Sequence, residues 1–309
     1  SNIFSNLTQN TSYEVKTRVI DKVGNGYVES TSTAINTLKV PDGNTNITIT
    51  PSSTAWTNKN ITATIKYTLI TDTKGQYRIL NEDGTQRVAW TDYSNAIAID
   101  SNCTIEARII DNTNQTGATK SYKVTNIDKV APTQASATVS SGTLGSNSWY
   151  KSNITIRVTA GTDNLSGVNR VTYSLSGATA KGETTITSGG TFTITAEGTT
   201  TITVYTYDNA GNKSSAKTLT VKKDAAAPTQ AGVSISSGTP GENGWYKSNI
   251  GIRVTQGTDG TSGVNRVVYA LSGATTKGET TISNGGTFSV TAEGTTTITV
   301  YTYDNAGNK

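Results

Sequence analysis

The chain has 309 residues, 26 Lys and Arg against 22 Asp and Glu, and a net charge of +4 carried by basic residues scattered singly. No basic stripe exists to track phosphates, so nucleic acid is not an expected partner. There is no His, no Met and a single cysteine, Cys103, which removes the commonest general bases and zinc ligands and any intrachain disulfide.

Hydrophobic residues, Tyr included, make up 33% of the chain, and Thr, Ser, Asn and Gly dominate the rest, a composition for many short strands with wet outer faces and thin cores. No apolar run approaches the roughly 18 residues that span a bilayer, so no membrane contact is expected within this sequence. At about 100 residues per domain, the length fits three or four domains.

In chain order, residues 1–40 come first. Leu7 and Tyr13 in LTQNTSY have the spacing of a tyrosine corner, and YEVKTRVIDKVGNGYVESTSTAINT supplies two strands. Residues 41–129 form the next block, in which AWTNKNITATIKYTL and TIEARIIDNTNQTG stand where SWYKSNITIRVTA and TITVYTYDNAGNKS stand later. Residues 130–225 show the plan most clearly. Ile154, Ile156 and Val158 share one face of a strand, as do Val171, Tyr173 and Leu175, and again Ile202, Val204 and Thr206. With QASATVS, GETTITS, GTFTITA and SAKTLTVKK, seven strands separated by Gly, Asn and Ser turns predict an immunoglobulin-like sandwich. Residues 226–309 repeat this block but stop before its last strand, so the chain is expected to be an excerpt of something longer.

The repeat is internal and close. Shifted by 96 residues, 131–213 and 227–309 agree at 65 of 83 positions without a gap. A period near 96 is a domain length rather than a solenoid repeat, so each copy is expected to fold by itself. The joints NIDKVAPTQ and KKDAAAPTQ carry a proline that fixes its own φ and pushes the preceding residue to extended geometry, which predicts short semi-rigid links and an elongated rod. At roughly 40 Å per domain, the rod would reach on the order of 150 Å.

No catalytic residue is expected. The nine residues YTYDNAGNK, at 205–213 and again at 301–309, predict a strand ending in a turn: Asp208 accepts backbone N–H groups and Gly211 takes positive φ. The alternation turns Thr206 inward and Tyr205 and Tyr207 outward. Two binding readings attach to these residues. Asp208 with Asp163, and equally Asp304 with Asp259 in the second copy, or Asp128 and Asp224 at the joints, offer carboxylate oxygens to calcium, although no D-x-D-x-D-G loop is present. Tyr205, Tyr207, Tyr301 and Tyr303 offer rings on which a sugar face can stack. Trp56, Trp149 and Trp245 precede equivalent strands and are expected to cover sandwich ends. Trp90 has no counterpart in the repeats, and Cys103 is expected to be an inert thiol beside a strand.

LTQNTSYEVKTRVIDKVGN resembles the second half of a fibronectin type III domain. The three later blocks, through DNAGN, TDNLSGV and IDKVAPT, resemble the bacterial Ig-like domains strung along Gram-positive surface proteins. The resemblance implies tandem Ig-like β-sandwiches on the bacterial cell surface or secreted, without enzymatic activity or cofactor. The implied role is a stalk presenting an adhesive tip, with host or cell-wall glycan or protein met through regions outside this sequence. Carbohydrate-binding modules, or accessory domains of a modular extracellular enzyme or phage fibre, are the alternatives.

Overall fold

The computed structural model describes residues 7, 11–20, 22–23, 27–36 and 40–309; the other positions of the 1–40 block lie outside the described residues. The chain divides into two units, Ser1–Val130 with Asn209–Gly211, and Ala131–Asp208 with Asn212–Lys309.

In the first unit, Ser12–Val15 pairs antiparallel with Thr33–Asn36, and Arg18–Ile20 with Tyr27–Glu29. A β-sandwich follows. One sheet orders the strands Ile47–Pro51, Ile61–Tyr67 and Ile97–Ile99, and the other Lys120–Val124, Cys103–Asp111, Thr73–Leu80 and Gln86–Asp92. Period-two alternation aims one face of each sheet at the other. Ile61, Ala63 and Ile65 thereby meet Ile105, Ala107 and Ile109 in one buried cluster. Cys103 is fully buried in that cluster, and burial pushes its thiol pKa up, which leaves it a small hydrophobe without activated sulfur.

In the second unit the first repeat builds the same plan. Ser136–Ser141, Ile154–Thr159 and Thr191–Ile194 make one sheet. Trp149–Tyr150, Lys217–Lys223, Gly198–Asp208, Val168–Gly177 and Lys181–Ile186 make the other. The Lys181–Ile186 strand joins the second sheet, a variation on the constant-domain order within the same Ig-like architecture. The expected inward residues are the core: Ile154, Ile156, Val158, Val171, Tyr173, Leu175, Ile202 and Val204 are all buried together, and Tyr173 stacks on Phe192 at 4.1 Å.

Thr206 is the polar member of the inward row. Its hydroxyl accepts the Gly161 N–H at 2.9 Å, so a buried oxygen is satisfied where an apolar residue would leave a backbone donor unpaired. Gly161 must be glycine for a separate reason: a Cβ there would lie 2.1 Å from the Thr133 carbonyl oxygen. Thr302 and Gly257 repeat the bond at 2.8 Å.

The short Trp149–Tyr150 strand was not legible in the sequence. It pairs in parallel with Lys222 and Lys223, a two-residue contact that no periodicity can signal.

The second repeat forms Gly232–Ser237, Ile250–Thr255 and Thr287–Val290 on one side, and Lys277–Ile282, Val264–Gly273 and Thr296–Asp304 on the other. Tyr269 again stacks on Phe288, at 4.0 Å. Among the described residues, no strand pairs with the outer edge of Thr296–Asp304. Ile202 is fully buried, whereas Ile298, in an identical local sequence, is half-buried. Ile202→Ala is therefore expected to cost about 2–5 kcal/mol and Ile298→Ala distinctly less. Native-state hydrogen exchange at the adjoining Val168–Gly177 and Val264–Gly273 strands reads each sandwich separately, and equal losses would contradict the burial difference.

Candidate functional site

The acidic candidates sit where strands hand over to turns. Asp128, in the first unit, is buried, and its Oδ1 accepts the Val130 N–H at 3.0 Å. In the second unit Asp163 accepts the N–H groups of Leu165 and Gly167 on Oδ2, at 3.1 and 2.7 Å. Asp208 takes the backbone and side-chain N–H groups of Asn212, at 2.8 and 2.7 Å, while Gly211 turns the chain with φ of +92°.

The equivalent residues of the next period converge. Carboxylate oxygens of Asp224, Asp259 and Asp304 all lie within 4.8 Å of one another, with Asp224 and Asp304 buried. Asp224 holds the N–H of Ala226 on Oδ1 and of Ser262 on Oδ2. Asp259 holds those of Thr261 and Gly263, and Asp304 holds the backbone and side chain of Asn308. Three hard oxygen donors at this spacing could hold a divalent cation, which would need further carbonyl or water oxygens to complete six to eight ligands. The same carboxylates already do structural work by fixing two turns against the end of a strand.

The outward tyrosines are tied into a network. Tyr207 donates its hydroxyl to Glu183 at 2.7 Å, Thr172 donates to the same oxygen at 2.8 Å, and Lys213 bridges the other at 3.0 Å. The Lys213 ammonium lies 3.6 Å from the Tyr205 ring centre, and the Arg170 guanidinium 4.0 Å from that of Tyr207. The second copy repeats the arrangement: Tyr303 and Lys309 meet Glu279, Lys309 covers Tyr301, and Arg266 covers Tyr303. One face of each ring is occupied by a cation of its own sheet. The hydroxyl bond from Tyr207, then the contacts from Lys213 and Thr172, outweigh burial and hold the Glu183 carboxyl down to about 2.

The tryptophans divide. Trp90 is sandwiched into its own sheet, with Arg108 4.1 Å and Arg78 5.0 Å from its ring centre, and Arg78 is itself paired with Glu106 at 2.6 Å. Trp149 is half-buried beneath Lys222. Trp245 is 61% exposed. It borders a groove of about 590 Å³ with Tyr246, Ile235, Ile252, Val290 and Ile298, along the edge that Lys217–Lys223 covers in the first copy.

No family model matches the chain, and no curated protein matches it. Solved structures similar to it include fibronectin(III)-like modules of Clostridium thermocellum CbhA, at 14% identity over 57% of this chain and 95% of that one, with a TM-score of 0.29. Domains 7, 8 and 9 of the S-layer protein SbsC share 14% identity over 71% and 72% of the two chains, with a TM-score of 0.21. The BSP domain of a biofilm-associated protein shares 16% identity over 58% and 30%, with a TM-score of 0.19. Superposition at these scores is poor, and it is the strand order of the sandwiches themselves that makes them immunoglobulin-like.

The depressed carboxyl gives a pH signature. Glu183 has an ordinary value of 4.5 and is held to about 2 in the folded chain, so it adds stability above pH 4.5 that disappears as the pH falls through about 2. Across that window the melting temperature of the wild-type chain is expected to fall more steeply than that of Glu183→Gln. Parallel curves in acid would show that the Tyr207 and Lys213 contacts do not operate in solution.

Proposed function

We propose that the chain is a non-catalytic structural segment of an extracellular modular protein, a spacer of tandem Ig-like domains that holds an adhesive or binding region away from its anchor. One observation carries the reading: two copies identical at 65 of 83 positions stand side by side, each with its own buried apolar cluster. Duplicating a self-sufficient domain adds reach without adding a new site. The polar clusters with the most chemistry support it as well, because the carboxylates fix turns and the tyrosines brace an outer sheet face. Contact with host or cell-wall glycan or protein would then fall to other regions of the whole protein.

Small-angle scattering tests the proposal. A spacer requires a maximum dimension on the order of 150 Å, and a particle much shorter than that would overturn it. Repeating the measurement in millimolar calcium and then in chelator tests the cation expectation for Asp224, Asp259 and Asp304. A dimension or melting temperature that falls on chelation makes them ligands, and unchanged values leave them as turn-forming residues alone.

A further inference from the structure

The loop that leads into Trp149 has the same shape in both repeats. In the first, the Gly145 N–H donates to the Trp149 carbonyl at 2.7 Å, Trp149 to Ser146 at 3.0 Å and Lys151 to Thr143 at 2.8 Å. In the second, Gly241, Trp245 and Lys247 make the equivalent bonds at 2.6, 3.1 and 2.8 Å. At the tip Asn147 and Asn243 take φ of +51° and +52°, a conformation that Asn tolerates. Each loop is closed by its own backbone, so its outward donors are aimed before any partner arrives.

In the first repeat those donors reach the Asp304–Asn308 turn of the second. The Ser146 N–H donates to the Ala306 carbonyl at 2.9 Å, the Asn147 side-chain amide to the Asn305 carbonyl at 3.0 Å, and the Lys151 ammonium to the Gly307 carbonyl at 3.2 Å. The turn leaves room for the loop: Ala306 is fully buried, Gly307 has φ of +88°, and a Cβ on Gly307 would lie 2.9 Å from the Ser146 hydroxyl. Asp224, from the linker, adds two bonds. Its Oδ2 accepts the Ser262 N–H and its carbonyl accepts the Asn308 side-chain amide, both at 3.1 Å.

We propose that loop and turn are a recognition pair between successive Ig-like repeats: a G-x-N-x-W-Y-K loop donates, and three consecutive carbonyls of the next repeat's D-N-A-G-N turn accept. Differences between the copies follow that division. Gly145, Asn147 and Lys151 are retained as Gly241, Asn243 and Lys247, whereas Leu144, Ser146 and Ser148 become Pro240, Glu242 and Gly244. Asn147 and Lys151 bond across the joint through their side chains, while Ser146 does so through its N–H, which any residue but proline supplies. The inference goes beyond the spacer reading. Repeats joined by a mobile link would still act as a spacer, so the two can fail separately.

Amide hydrogen exchange, followed by NMR on the 309-residue chain in chelator so that no cation bridges the joint, tests the pairing. The Ser146 N–H reads the contact between repeats, and the Trp149 N–H, bonded within the loop, reads the loop itself. Ser146 is expected to exchange about tenfold or more slowly than in an unfolded chain. Gly145→Ala, whose Cβ would lie 2.3 Å from the Ala306 carbonyl oxygen, is expected to abolish that protection and leave Trp149 protected. Gly241→Ala is the control, because the atoms nearest its Cβ belong to Trp245 and Lys247 of the same loop, and Ser146 is expected to be unchanged.

The double variant Asn147→Ala, Lys151→Ala removes only side-chain bonds and is expected to lower Ser146 protection several-fold, which keeps the test decisive if Gly145→Ala disturbs its own loop. An unprotected Ser146 N–H in the wild-type chain would overturn the proposal. Full protection retained in Gly145→Ala or in the double variant would overturn it as well.

Discussion

Closure of the second sheet by its last strand is the interaction that seals the core of the first repeat. The cores are a single layer of Ile, Val, Leu and Tyr between two sheets, and there is no disulfide to hold the sheets together. Stability must come from apolar area removed from water, at about 25 cal/mol per Å², so each uncovered side chain matters. Where Lys217–Lys223 is in place, Ile202 and Val204 are sealed and Trp149–Tyr150 is drawn into the sheet. Where no strand covers the edge, the same sequence leaves Ile298 and Val300 partly wet. Burial here is a property of the neighbour as much as of the residue.

The outer face of that sheet is braced in a different way. Exposed strands gain from cross-strand pairs, and here each pair combines a tyrosine ring, a cation and a glutamate. Cation–π contacts at exposed sites are worth about 0.5–1 kcal/mol each, and isolated surface ion pairs contribute little. The Glu183 network gathers several such weak contacts on one carboxylate. The two copies differ at one point of the network: Thr172, which donates to Glu183 in the first, is Val268 in the second. Two further differences, at core or edge positions, exchange β-branched side chains that differ by one methylene, Ile194 to Val290 and Val139 to Ile235. Such exchanges change packing less than shape-breaking ones.

The strands were legible because their signal is local: alternation placed Ile154, Ile156, Val158, Ile202, Val204 and Thr206 inward before any pairing was known. The turn at Asp208 was legible for the same reason, since an Asp followed four residues later by a hydrogen-bonded Asn is contained in one short stretch. What sequence reasoning missed is non-local. The parallel contact of Trp149 with Lys222 joins residues 73 positions apart. The convergence of Asp224, Asp259 and Asp304 joins three segments, and repetition at a period of 96 flagged them as equivalent to earlier acids without saying that they meet. Trp90 was singled out for lacking a counterpart in the repeats, and the two arginines that flank it explain its place through packing on its own sheet.

The carboxylate cluster shows how a largely buried acid set can persist in a repeat with as many acidic as basic residues, five of each between 226 and 309. At an effective dielectric near 20, two like charges about 4 Å apart repel by about 4 kcal/mol. A hydrogen bond to an ionised acceptor contributes about 1.5–3 kcal/mol. Asp224, Asp259 and Asp304 form three such repulsive pairs and receive six N–H bonds, so the two sides are of the same size. The N–H groups of the turns therefore hold the three carboxylates in place, and the cluster's geometry follows from the backbone around it. A cation would act on an assembly that the chain has already organised, and its effect would be to shift a near balance.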